Sequence, residues 1–456
     1  MNSCDVLLVN PPFGARFNGA PMNLVALATH LSNSGVSARL IDLCIHDEWE
    51  KKLTSVLDQA VPSIVAIGSY SPTHLSAVKV ARKIREHSPD ILVVKGGIHE
   101  TFVPFVTLEN HDTIDVTVEG FGEEALVELS KERGNRSAWT SIPGISFRDR
   151  DGSIVRNRRK SLKAGATLDS FSIPNRSFLE NCDYYDFAIF GGRRTAQVIT
   201  TRGCPYQCSF CPASKSSTGA ADPYRWRTSK HTELEVDQLL ANNYGAIFFD
   251  DSVFTLNSER VSDLCSMLSG TGLQWACQTR LDCVDSKLLE RMRSAGCSYI
   301  FFGLEAADDG QLQLMQKDLS AEVAWQAIDD TISLGFSVGA SIILGHPGGG
   351  DEKVIELLSR LARYDARQLS VSLSMYALYP GTTDWLRALE CGQVSQKSYE
   401  KFHSLEPIWN LFDEGRGAIH LVSSDEAERL HKLAKGILGS NRLFDDLPSA
   451  NMVTNQ

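Results

Sequence analysis

Three cysteines spaced four and three residues apart constrain this chain more than any other feature. They lie in Thr201-Arg-Gly-Cys204-Pro-Tyr-Gln-Cys208-Ser-Phe-Cys211-Pro, directly after the apolar run Ala196-Gln-Val-Ile-Thr200. That run reads as a buried strand leading into a loop. Three thiolates on one loop suit a cubane [4Fe–4S] cluster, each taking one iron and leaving the fourth iron open. Structural zinc wants four ligands, commonly in two separated pairs, and no second pair follows at a suitable distance. Cys204, Cys208 and Cys211 are therefore the expected cluster ligands. The total of 11 cysteines is odd, which speaks against a disulfide framework. Cys4, Cys44, Cys265, Cys277 and Cys297 sit in or beside apolar runs and read as core filling.

A chain of 456 residues is too long for one ordinary core. Residues 1–134 alternate strand and helix, with strands expected at Asp5–Asn10, Ala38–Asp42, Ser63–Gly68, Asp90–Lys95 and Thr113–Val118. Interleaved helices, notably Leu75–Glu86, make this an open, doubly wound parallel α/β sheet of flavodoxin-like kind. Such sheets bind ligands beyond the carboxyl ends of their strands. Residues 135–194 read as a polar connector containing a hairpin around Asp151-Gly152. Alternation resumes in 195–383, where six β/α units imply a partial (β/α)6 barrel with its site at the strand carboxyl ends. Residues 384–456 read as a short helical tail, amphipathic over Asp425–Leu438.

The formal net charge of −11 disfavours a nucleic-acid backbone as partner. No run reaches the roughly 18 apolar residues of a membrane helix. The start, Met-Asn-Ser-Cys-Asp, lacks the basic and apolar regions of a secretory signal. A cytoplasmic protein with neither membrane nor nucleic-acid partner is the expectation. Dinucleotide binding is also disfavoured, because no Gly-x-Gly-x-x-Gly opens the first helix.

The C-x3-C-x-aromatic-C pattern at the end of the first barrel strand resembles the radical S-adenosylmethionine (SAM) superfamily, over roughly residues 195–383. The resemblance implies that SAM binds the open iron and yields a 5′-deoxyadenosyl radical that abstracts hydrogen. It also implies SAM contacts. Phe210 takes the aromatic slot, whose backbone meets adenine, and Asp250 and Asp251 fall where the methionine amino group is held. Glu305 ends the fourth strand at a ribose-contacting place, and Gly345, in Ile343-Leu-Gly-His-Pro-Gly348, resembles the adenine-side turn. Arg280, ending the third strand, suits the SAM carboxylate as a planar fork. Each has a plainer reading as well: Asp250 or Asp251 as a helix cap, Glu305 as a surface carboxylate, the glycines as a turn.

The N-terminal sheet resembles the cobalamin-binding domain that precedes the barrel in one radical SAM subfamily. Gly96-Gly97-Ile-His99, Glu119-Gly120-Phe-Gly-Glu and the connector Ile142-Pro-Gly-Ile-Ser-Phe-Arg carry that likeness. Asn10, Ser69, Ser71, Thr73, Gly96, Gly97 and Gly120 are the expected cobalamin contacts, although Ser69, Ser71 and Thr73 also suit helix capping before Leu75. The first loop, Asn10-Pro-Pro-Phe-Gly-Ala-Arg16, departs from the Asp-x-His-x-x-Gly of many cobalamin proteins. Cobalamin is therefore expected base-off and His-off.

Together the resemblances imply a C-methyltransferase that moves a methyl group from methylcobalamin to an unactivated carbon of a small biosynthetic substrate. An external one-electron reductant, such as flavodoxin or ferredoxin, is implied too. Tyr376 and Tyr379, at the sixth strand's end, fall in the substrate region. Rearrangement, ring contraction or cyclisation without net methylation uses the same cofactors and stays open. A non-catalytic iron–sulfur sensor is the alternative of another class.

Overall fold

The computed structural model describes all residues except 1–2, 14–18, 161–166, 181–183, 185–187, 216–223, 402–418, 421–423, 440–442 and 444–456. Its N-terminal sheet contains β1 (Val6–Asn10), β2 (Ala38–Asp42), β3 (Ile64–Gly68), β4 (Leu92–Gly96), β5 (Val116–Val118), β6 (Ile145–Arg148) and β7 (Ile154–Arg156). The strand order is β2-β1-β3-β4-β5-β6-β7, parallel through β5 and antiparallel beyond it. The alternation of side chains explains the two-sided core. Val6 and Leu8 pack under α1 (Met22–Asn33) and α6 (Glu123–Lys131). Leu7 and Val9 pack under α2 (Trp49–Ala60) and α3 (His74–His87) on the other face. Two short helices, α4 (Ile98–Phe102) and α5 (Pro104–Asn110), follow β4, and α7 (Arg136–Trp139) follows α6.

One expectation changes here. The hairpin read within a connector is β6 and β7, and it extends the N-terminal sheet, so this domain runs past residue 134. Buried Ile145 and Phe147 join the α1/α6-side core beside Val116 and Val118. Pairing across such a sequence distance leaves no local signal.

The second sheet holds β8 (Thr195–Val198), β11 (Ala246–Phe249), β12 (Gln274–Thr279), β13 (Cys297–Glu305), β14 (Ser337–Leu344) and β15 (Leu369–Met375), all parallel and in chain order. A small antiparallel pair, β9 (Thr201–Arg202) with β10 (Arg225–Trp226), sits at the end of β8. The outer face packs under α8 (Ser229–Ala241), α9 (Ser258–Leu268), α10 (Ser286–Ser294), α12 (Ala321–Ser333) and α13 (Asp351–Leu361). Residues of β15 alternate between buried and half-buried, as in a strand with one packed face and one facing an open interior. The short α11 (Asp309–Leu314) follows β13, and α14 (Thr383–Glu390) follows the barrel. In the tail, α15 (Ser424–Leu438) lays Ala427, Leu430, Ala434 and Leu438 on the barrel's outer core, at the i, i+3, i+4 spacing read from the sequence.

Candidate active site

The cysteine loop is held from several directions. Ser209 N donates to Met315 O at 2.9 Å, Lys215 N to Tyr206 O at 2.8 Å, and Ser214 N to Cys211 O at 3.1 Å. Among the described residues no disulfide ties Cys204, Cys208 or Cys211; Cys208 is buried and the other two are half-buried. Burial raises the pKa of all three, that of Cys211 to about 12. Lys317 and Arg280 oppose this at Cys204 and Cys208 by favouring the thiolate. Three thiols, one buried and two half-buried, with two cations acting on Cys204 and Cys208, fit a thiolate-ligated group with one open side.

The carboxyl ends of the barrel strands gather the other residues expected there. Asp251 is a brace rather than an open carboxylate. Its Oδ1 accepts from Thr200 N and Thr201 N, each at 2.7 Å, and its Oδ2 accepts from Thr200 Oγ1. It thus fixes the root of the cysteine loop. Asp250 lies between two amides, accepting at Oδ1 from Gln278 Nε2 at 2.9 Å and at Oδ2 from Gln197. Burial raises its pKa, against the Gln197 hydrogen bond.

Arg280 gives one edge of its fork to Asp282, with Nε–Oδ1 and Nη2–Oδ2 both 2.8 Å. Nη2 also donates to Lys317 O at 2.6 Å, the guanidinium stacks 3.7 Å from the Tyr206 ring centroid, and Nη1 lies 3.6 Å from Cys208 Sγ. Glu305 accepts from Lys317 Nζ at 3.2 Å and from Ser341 Oγ at 2.9 Å. Phe210 packs against two small buried clusters, one containing Tyr376 and the other Met315. Gly345 takes a φ of 76°, which glycine adopts without strain.

Lys317 is the residue the sequence did not disclose. It is 3% exposed, and it sits between Gln316 and Asp318, whose φ values are 52° and 49°. Left-handed backbone at two non-glycine residues carries strain that a functional position often explains. No motif spacing signals it, because the position depends on where α11 ends.

On the N-terminal sheet, a cavity of about 310 Å³ opens at the strand ends. Leu24, Gly68, Gly96, Gly97, Val118 and Phe121 are among its walls, with Ile199 and Arg202 contributed by the barrel. A Cβ on Gly97 (φ 113°) would stand 2.2 Å from Ser69 O, so this close backbone approach requires glycine. Gly120 (φ 75°) donates its N–H to Thr101 Oγ1 at 3.0 Å. Ser69 Oγ is buried without a hydrogen-bond partner, a group that asks for a ligand or water. The remaining expected contacts are engaged within the protein. Ser71 Oγ meets His99 Nδ1 at 3.1 Å, Thr73 Oγ1 accepts from Tyr70 N at 2.9 Å, and Asn10 Nδ2 donates to Asp42 Oδ1 at 2.8 Å. A mostly apolar slot with bare glycine walls fits the flat, largely apolar tail of a corrinoid.

The two ends face one another. Arg202, two residues before Cys204, donates to Glu123 Oε1 at 2.7 Å and lies over the rings of Phe121 and Phe171. Tyr70 keeps 55% of its surface open to the cleft between the domains. The enclosing walls, and then the barrel's Asp250 carboxylate, push its phenol pKa up.

The comparisons agree with this layout. The Radical SAM superfamily model matches residues 198–361, and the B12 binding domain model matches residues 15–130. An uncharacterized methyltransferase of Pyrococcus horikoshii is 26% identical, over 90% of this chain and 89% of its own. The anaerobic magnesium-protoporphyrin IX monomethyl ester cyclase of Cereibacter sphaeroides is 28% identical, over 88% of this chain but 66% of its own length. The solved structure of the radical SAM methyltransferase TsrM from Kitasatospora setae superposes with a TM-score of 0.74 at 20% identity, covering 96% of this chain and 90% of that one. The chain belongs to the radical SAM superfamily, in the branch that carries a B12 binding domain. The relatives of this family that the chain resembles include enzymes named methyltransferases and enzymes named cyclases. The cofactors of that family are a [4Fe–4S] cluster, SAM and cobalamin.

Proposed function

We propose that this enzyme methylates an unactivated carbon of a small substrate held between the two domains. The observation that carries the reading is the facing of the two sites: the cysteine loop and the glycine-walled slot share Arg202 as a common wall. When bound, the cluster with SAM supplies hydrogen abstraction and cobalamin supplies the methyl group.

The chain's own residues position and enclose these groups. Cys204, Cys208 and Cys211 hold the cluster. Asp250, steadied by Gln197 and Gln278, receives the SAM amino group. Lys317, with the remaining Nη1 edge of Arg280, receives the SAM carboxylate. Glu305, steadied by Ser341, meets the ribose, while Phe210 and the Gly345 turn flank adenine. Ser69 Oγ and the backbone at Gly96, Gly97 and Gly120 receive the corrinoid tail. Arg202 and Tyr70 close the cleft against water. No helix among the described residues is long and apolar enough to cross a membrane. An external one-electron donor such as flavodoxin or ferredoxin completes the cycle, and the cytoplasm is where such donors are met.

The test is anaerobic reconstitution with iron, sulfide and hydroxocobalamin, followed by reduction with SAM in the presence of candidate substrates. Formation of both 5′-deoxyadenosine and S-adenosylhomocysteine, with a product heavier by one methylene unit, is expected. The relatives named as cyclases favour a second reading, ring formation without net methylation. Deoxyadenosine without S-adenosylhomocysteine, and a product lacking the extra methylene, would select it.

A further inference from the structure

We propose that Asp384 is a positioning residue for the cluster, acting through Ser209. The proposal rests on the assignment of Cys204, Cys208 and Cys211 as cluster ligands and goes beyond it.

Ser209 lies between two of those ligands and is completely buried. All three of its polar groups are tied to segments outside its own loop. Its N–H donates to Met315 O at 2.9 Å, and its carbonyl accepts from Asp384 N at 3.1 Å. Its hydroxyl donates to Asp384 Oδ2 at 3.1 Å. Two of these three bonds end on one residue, in the first turn of α14. That helix start is itself fixed, because Thr382 caps it by accepting from Trp385 N at 3.1 Å, and Trp385 is buried. The stretch from Cys208 to Cys211 therefore cannot shift without moving α14.

Asp384 also reaches toward the barrel mouth. It is 8% exposed, a deep site for a carboxylate. It accepts a hydrogen bond from the Tyr376 phenol, whose pKa is pushed well up by burial and then by this carboxylate. Arg387 Nη1 stands 3.5 Å from its Oδ1, and His346 Nε2 stands 3.9 Å from its Oδ2. His346 Nδ1 lies 2.8 Å from Pro347 O, a carbonyl that can only accept, so Nδ1 donates to it. The His346 and Tyr376 rings meet edge-on at 4.6 Å. His346 follows Gly345 and Tyr376 follows β15, so both flank the region proposed for adenine. A single buried carboxylate thus ties the cluster loop to the wall of the SAM site.

Two consequences follow. Geometrically, Asp384 keeps the ligand loop in register with the SAM wall, and small misplacements there are expensive for catalysis. Electrostatically, a buried negative charge beside the loop opposes the addition of an electron, so removing it raises the cluster's midpoint potential.

Three variants separate these effects. Asp384→Asn keeps the backbone donor and a carbonyl acceptor for Ser209 but removes the charge. Asp384→Ala keeps the backbone donor but removes both the side-chain acceptor and the charge, and Ser209→Ala removes only the hydroxyl link. Each is reconstituted anaerobically beside the unsubstituted enzyme. Iron content, the EPR spectrum of the reduced cluster, its midpoint potential, and kcat and KM for SAM cleavage are then measured. Full iron content is expected in all three. Asp384→Asn is expected to shift the midpoint positive with nearly unchanged g-values. Asp384→Ala is expected to change the g-values and lower kcat at least tenfold, with KM for SAM little altered, and Ser209→Ala is expected to fall between. Full iron with unchanged g-values, midpoint and kcat in Asp384→Ala would overturn the proposal. Should Asp384→Ala fail to take up iron, an unchanged midpoint and kcat in both other variants would overturn it equally. An unsubstituted enzyme that takes up no cluster would refute the ligand assignment instead.

Discussion

The barrel mouth and the end of the N-terminal sheet solve opposite problems with the same element, a backbone forced into left-handed conformation. At the barrel mouth, beside Gly345, three of the residues so placed carry polar side chains. Glu305, Gln316 and Asp318 have φ values of 65°, 52° and 49°, and they surround buried Lys317. At the sheet end the positions are glycines, Gly97 and Gly120. A site that recognises charge must keep its side chains even where the backbone is strained, at about 1 kcal/mol or more for each such residue. A site that recognises shape must remove side chains, and glycine does so with little strain. The polar groups show the same contrast. Asp250, Asp251, Arg280 and Glu305 are already held by protein partners, whereas Ser69 Oγ has none. The barrel site is built in advance around its own charges, and the sheet end is a shaped space.

If the two sites are independent in this way, their losses should separate. The largest effect is expected from replacing Cys204, Cys208 and Cys211 together by Ala. Iron content and deoxyadenosine formation should both fall to background while corrinoid is still retained after gel filtration. Retained SAM cleavage would end the ligand assignment, and loss of corrinoid as well would show that the two sites do not fold independently.

The converse variant is Gly97→Ala. Its Cβ would collide with Ser69 O, and a non-glycine residue at φ 113° is strained by about 1–3 kcal/mol even without the collision. Corrinoid affinity should drop about tenfold or more, while iron content and SAM cleavage stay near normal. Unchanged corrinoid retention would remove the slot from the cobalamin site.

The contrast also explains what could be read from the sequence. The proposed cysteine ligands stand out in the sequence because three thiols at fixed local spacing on one loop suit little besides a shared metal group. Both domain types and the six barrel strands were legible because apolar runs alternate with amphipathic ones. Long-range register decides the rest. Asp250 and Asp251 are indistinguishable as a doublet, and only the pairing of β8 with β11 turns Asp251 onto the backbone of Thr200 and Thr201. Ser71, Thr73 and Asn10 have the right chemistry, yet their neighbours His99, Tyr70 and Asp42 already engage them. A boundary at residue 383 parts Asp384 from the cluster loop it holds, because nothing local to an Asp at a helix start tells what its carboxylate will meet.

The smallest expected effect lies beneath the sheet end, in a buried group with no counterpart among the barrel residues described above. His74 and His99 are each 1% exposed, with ring centroids 4.2 Å apart. Around them stand Lys95, Glu100, His111, Ser71, Tyr399 and Glu400, the last two from the chain beyond the barrel. Burial, and then Lys95, lowers both histidine pKa values well below the usual range, so both rings are neutral when folded. Unfolded, the same rings take up protons below about pH 6.5. The folded state then binds fewer protons than the unfolded one, so stability is full above that pH and declines as pH falls below it. Each ring contributes at most about 1.4 kcal/mol per pH unit. The thermal midpoint should therefore fall more steeply between pH 7 and pH 5 in the unsubstituted protein than in His99→Gln, which keeps a polar group near Ser71 but cannot titrate. Equal slopes would mean that the cluster is not a site of proton uptake on unfolding, and that the two ends of the molecule respond alike to acid.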